Sequence, residues 1–150
     1  MNYSNAGVLF TEHAEGCKLT AYQDQKGVWT IGTGHTGPEV VEGLVITQGQ
    51  ADLYLSSDME TATAGVNAAL SGVIDTITQG EFDACVDLAF NIGVHAFTES
   101  TVCRCLNAGD LAGARAAFLL WDKCGGQYNQ GLFNRRTAEV ADLFNSQEAA

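Results

Sequence analysis

The sequence predicts an α+β domain in the order helix, small sheet, then helices only. Three observations carry this. Between Lys18 and Thr36 the apolar residues change from helical spacing to short strand-like runs broken by turn residues. Two capping boxes, Thr47-Gln48-Gly49-Gln50 and Thr78-Gln79-Gly80-Glu81, each open a long stretch with helical periodicity. No repeat, low-complexity tract or linker interrupts the 150 residues, a length that suits a single domain with a real core.

Residues 4–14 read as the first helix, with Ser4 or Asn5 as its cap and Gly16 as its stop. That leaves Glu15 at the C-terminal end, where the negative end of the helix dipole favours the protonated acid. Strands follow around Leu19 and Ala21 and over Val28–Ile31, joined by the turn Asp24-Gln25-Lys26-Gly27. Gly32 and Gly34 leave the last strand, which ends at His35, open to close approach by backbone or ligand. Residues 37–45 read as loop. In the helix after Thr47, the residues Ala51, Leu55, Asp58 and Ala62 share one face, and an acid on such a face needs a partner. His35 and Tyr54 are the candidates. An Asp58–His35 pair would brace the hairpin against this helix, and a solvated Asp58 at the rim is the alternative.

After Thr78, the stripe Phe82, Cys85, Val86, Ala89, Phe90 marks the central core helix, stopped at Gly93. Asn91 beside that stop is either a helix-end polar group or a sugar contact. Residues 98–106 and 110–121 read as two more helices, the second capped by Asp110, and Lys123–Gly131 as glycine-rich loop. A last helix follows Asn134 and carries Arg135 and Arg136. This adjacent pair could neutralise Glu15 or Asp24, grip substrate, or simply be solvated.

Eighteen acidic against seven basic side chains give a net charge of −11, which disfavours nucleic acid or an anionic membrane as partner. Five cysteines cannot all pair within the chain, and none has zinc-knuckle spacing; they read as core thiols, Cys17 included, made in a reducing compartment. The N-terminus lacks the basic start and apolar run of a signal peptide. No stretch reaches the ~20 apolar residues of a membrane helix, so no membrane insertion is expected.

The stretch Glu15–Thr36 carries the chemistry. Glycosidic hydrolysis needs one acid to protonate the leaving oxygen and a second carboxylate to activate water or attack the sugar. Glu15 and Asp24 stand nine residues apart, Thr30 follows after six more, and the run TIGTGHT closes the unit. This arrangement resembles the active-site signature of the phage-type lysozymes, the endolysin muramidases of glycoside hydrolase family 24. FNIGVHAFTEST (Phe90–Thr101) and GLFNRRTAE (Gly131–Glu139) are similar to two further segments of that family, and the resemblance covers almost the whole chain.

The resemblance implies a lysozyme-like fold with a small sheet-bearing lobe over about 15–46 and a helical lobe over about 60–150 that includes the first helix. A cleft would lie between them. It implies Glu15 as general acid, Asp24 as the carboxylate that activates water, and Thr30 as the hydroxyl that positions it. Asn91, Gly32, Ser100 and Arg135 are the implied substrate contacts, and the His35–Asp58 pair fits its helix alignment. The implied reaction cuts the β-1,4 bond between N-acetylmuramic acid and N-acetylglucosamine in peptidoglycan, with inversion. Two carboxyls and a water need no metal or organic cofactor. A monomer is expected, held in the host cytoplasm until a holin-type lesion releases it to the wall in the periplasm. The competing reading is a lysozyme-like module that binds glycan or protein with little catalysis. A peptidoglycan amidase or peptidase would want histidines at metal spacing, and His13, His35 and His95 show none.

Overall fold

The computed structural model describes residues 1–146. Helix α1 (Asn5–Glu15) starts where the Ser4 hydroxyl accepts the Gly7 N–H, and it ends at Gly16 with φ 65°. A three-stranded antiparallel sheet follows, in the order β1 (Lys18–Gln23), β2 (Trp29–Gly32), β3 (His35–Thr36). Tyr22 stands opposite Thr30, and Ile31 opposite His35. The strand expected to run through to His35 is instead broken at Thr33-Gly34, where Gly34 takes φ 73°.

Helix α2 (Gln48–Ala69) joins two cores. Its capping box at Thr47 is fully formed. Near its start Ala51 packs with Ile31, Val40 and Ile46 under the sheet, whereas Leu55, Met59, Ala62 and Val66 enter the main core. Helix α3 (Gln79–Ile92) is the centre of that core, again with a complete capping box, at Thr78. Every residue from Gly80 to Ala89 is buried, so α3 is enclosed on all sides and not on one stripe alone. It therefore carries Glu81, Asp83 and Asp87 into the interior, where each needs a partner.

The C-terminal half departs from the sequence reading at its boundaries. Helices α4 (Val94–Glu99) and α5 (Thr101–Asn107) replace the single helix expected over 98–106, because Ser100 interrupts it. Its hydroxyl donates to the Phe97 carbonyl at 2.6 Å and accepts the Cys103 N–H. Ser100 is thus a buried helix cap. Helix α6 (Leu111–Phe118) stops short of residue 121. The expected loop contains a hairpin, β4 (Lys123–Cys124) and β5 (Gln127–Tyr128), turned by Gly125 and Gly126, both at positive φ. Helix α7 (Gln130–Ala138) begins four residues before Asn134 because Asn129 accepts the Leu132 N–H, and it continues as a π-helical segment over Glu139–Phe144. All five cysteines are unpaired; Cys85 and Cys103 are core thiols, but Cys17 is exposed, just beyond the end of α1.

Candidate active site

Where α1 stops at Gly16, the Glu15 side chain enters a cleft of about 830 Å³. Asp24, Asn91, Trp121, Asn129 and Arg135 line the same cleft. Asp24 is held by its own turn: Oδ1 accepts the N–H groups of Lys26 (2.8 Å) and Val28 (2.9 Å). Two amide bonds on one oxygen fix the carboxyl plane and leave Oδ2 for another partner. The cleft is bridged at one edge, where Asn129 Nδ2 donates to Gln25 Oε1 at 2.7 Å. Asn129 thereby caps α7 and ties the hairpin side to the turn that carries Asp24.

Glu15 has two distinct oxygens. Oε1 accepts from Arg135 Nη1. Oε2 lies against Gly34, so close that a Cβ built there would sit 3.0 Å from it and 3.4 Å from the Phe90 ring. Of the roles open to the arginine pair in the sequence, neutralising Glu15 falls to Arg135, whose guanidinium opposes the influence of the helix dipole. Arg135 is not solvated, since its side chain is only 9% exposed and its Nε and Nη2 both bind Asp87. Burial works against its charge, yet Asp87 and then Glu15 outweigh that and push its pKa upward. With all three donor groups engaged, Arg135 is a partner of the acid before it is a sugar contact. Arg136 is fully buried against Glu139 at 2.6 Å.

The other expected site residues separate. Thr30 is nearly buried, donates its proton to the Val28 carbonyl at 3.0 Å, and is not among the cleft-lining side chains. Gly32 takes φ 61°, which favours glycine, and a Cβ added there would lie in ordinary contact with Ala51 of α2 at 3.4 Å. His35 Nδ1 lies 2.7 Å from Asp58 and its Nε2 2.5 Å from Glu39, with Tyr54 stacked on the ring at 3.9 Å. Glu39 was not anticipated, although its i+4 spacing from His35 could have suggested it. Asp87 was also missed. An acid inside the apolar run ACVDLAF was the available signal.

The sequence profile of the phage lysozyme family matches residues 12–139. The endolysin of Acyrthosiphon pisum secondary endosymbiont phage 1 is 42% identical over 150 residues, covering 97% of this chain and 99% of that protein. The endolysin of Bacillus phage PZA is 43% identical over 148 residues, but this chain spans only 56% of its length. Among solved structures, the endolysin from Escherichia coli O157:H7 phage FAHEc1 superposes with a TM-score of 0.84 at 35% identity, covering 100% of this chain and 98% of that one. With the fold, the cleft and these likenesses in agreement, the chain belongs to the phage lysozyme family, the peptidoglycan-hydrolysing lysozymes of phages.

Proposed function

We propose that this chain is a muramidase that hydrolyses the β-1,4 bond between N-acetylmuramic acid and N-acetylglucosamine, with Glu15 as acid and Asp24 as base. The observation that carries this is the entry of both carboxyls into one cleft, each with one oxygen committed and one available. Glu15 gives the proton on Oε2 to the glycosidic oxygen as the C1–O bond breaks. Asp24 Oδ2 takes a proton from water as the water oxygen bonds to C1 from the opposite face, inverting the anomeric centre. For Thr30 the water-orienting role rests on the family resemblance alone, since its proton goes to the Val28 carbonyl and its side chain does not line the cleft. Asn91, on the cleft wall, offers the amide that a sugar acetamido or hydroxyl group requires. No helix among the described residues is long and apolar enough to cross a membrane. We infer a monomer that waits in the host cytoplasm and reaches the periplasm through a holin-type lesion.

Purified peptidoglycan digested by wild type and by Glu15→Gln, read by mass spectrometry, tests the assignment. New reducing N-acetylmuramic ends are expected from wild type, and a loss of at least about a hundredfold in rate from the variant. Near-wild-type turnover by Glu15→Gln would remove Glu15 as the acid. Early NMR spectra of the product give the anomer, and the α form first is the expected sign of inversion.

A further inference from the structure

A buried chain of hydrogen bonds runs behind Glu15. The Tyr3 phenol and Thr11 hydroxyl bond at 2.8 Å, and Thr11 donates to Asp87 Oδ1 at 2.5 Å. Asp87 in turn takes Nε and Nη2 of Arg135, each at 2.9 Å, and Arg135 Nη1 reaches Glu15. A guanidinium presents its donors in a rigid plane, so two bonds to one carboxylate fix where the remaining nitrogen points. Here it points at Glu15.

The charges in this cluster can be assigned. Burial pushes the Asp87 carboxyl up, but the charge and hydrogen bonds of Arg135 outweigh it and hold the group below its ordinary range. Glu139 is equally buried; burial drives its carboxyl far up against the pull of Arg136, and the neighbouring Asp87 adds to the rise. With Glu139 pushed up and Asp87 held down, Asp87 is the carboxylate that answers Arg135, through two hydrogen bonds at 2.9 Å against 3.8 Å from Glu139. The other groups facing Asp87, Thr11 and the Tyr3 phenol, are neutral. Glu15 is faced by Arg135 from α7, with Tyr22 of β1, Asp24 of the turn and Arg136 acting at longer range. Burial, then Glu15 and Asp24, raises the Tyr22 phenol, so it too is neutral.

We propose that Asp87 is a positioning residue for the acid step: by holding Arg135 with two hydrogen bonds, it sets how much of the guanidinium charge Glu15 feels and so how readily Glu15 keeps the proton it must deliver. With Asp87 present, most of that charge is answered behind the acid. Without it, an unneutralised cation in a low-dielectric pocket would fall on Glu15 and favour the carboxylate, which is useless as an acid. The buried helix α3 thus reaches the chemistry through a residue that touches no substrate.

This inference rests on Glu15 being the acid, so its test uses two readouts. Asp87→Asn keeps the shape and removes the charge. By ¹³C NMR, the Glu15 carboxyl should titrate about one pH unit lower than in wild type, and the alkaline limb of kcat/KM should fall by the same amount. Above that limb the turnover drops about tenfold, with KM nearly unchanged. Because Glu139 lies 3.8 Å from Arg135 Nε and is the other carboxyl within reach of it from α7, Asp87→Asn/Glu139→Gln should move both readouts at least as far. A Glu15 titration that stays in place in both variants overturns the inference. A titration that moves while the rate profile does not keeps the coupling and removes Glu15 as the acid. If neither variant folds, wild type decides: the Arg135 ¹⁵Nε resonance should titrate with the midpoint of Glu15, and a flat resonance there overturns the coupling.

Discussion

Gly34 shows how narrowly the acid is placed. Its φ of 73° is costly for any residue with a side chain, and the Glu15 carboxyl fills the space a Cβ would need. Gly34→Ala should therefore lose about 1–2 kcal/mol of stability from the backbone alone. It should also lower kcat by about tenfold, since Oε2 and Cδ of Glu15 must shift. A thermal melt and a turnover assay check the two parts, and a variant that melts early yet keeps its kcat would mean that Glu15 has room to move. At this scale the sequence was informative where function and spacing coincide. Glu15, Asp24 and the turn that holds Asp24 lie within fourteen residues, Glu15 to Val28, and local chemistry sets their conformation. Arg135 was only one of several readings for a partner of Glu15, and Asp87 was missed, because Arg135 stands 120 residues from Glu15 and 48 from Asp87 in the chain, separations that no local pattern encodes.

Among the elements, the pairing of β3 with α2 depends on pH through His35. Burial, the largest influence on His35, lowers its pKa, but the hydrogen bonds to Glu39 and Asp58 together reverse this and leave it raised. A ring whose folded pKa lies above its unfolded one stabilises fully below the unfolded value, about 6.5, and loses that contribution as pH rises through the folded value. The Tm difference between wild type and His35→Asn should thus be largest near roughly pH 6 and shrink by a few degrees toward roughly pH 9. A difference constant across that range would leave the Tyr54 stack as the whole contribution. Both long helices were legible from their capping boxes, which are written in four consecutive residues. The β4–β5 hairpin was not, since two-residue strands carry no period and only the Gly125-Gly126 pair signals the turn. The start of α7 was misplaced because Asn129, its cap, stands two residues before Gly131 in a glycine-rich stretch and reads as loop.

For the whole molecule the question is how a chain of net charge −11 approaches an anionic wall. Its few cations are not spread evenly: Lys26, Lys123 and Arg135, three of the seven lysines and arginines, line the cleft. At an ionic strength of about 0.01 M the screening length is roughly 30 Å, comparable with the domain itself, so the wall meets the net negative charge. Near 0.15 M it falls to about 8 Å, and only charges close to the contact still act, which at the cleft include the two lysines. Toward 1 M even these are screened. The rate of wall lysis should therefore rise with salt, pass through a maximum, and fall again. Lys26→Gln/Lys123→Gln should keep the rise, which comes from relief of long-range repulsion, and lose most of the later fall. Turbidity assays on cell walls across this range, with a neutral soluble glycan as control, separate the two effects. A rate that only falls from the lowest salt would mean that the local cations already dominate there, and that the acidic remainder of the surface is too distant from the contact to matter.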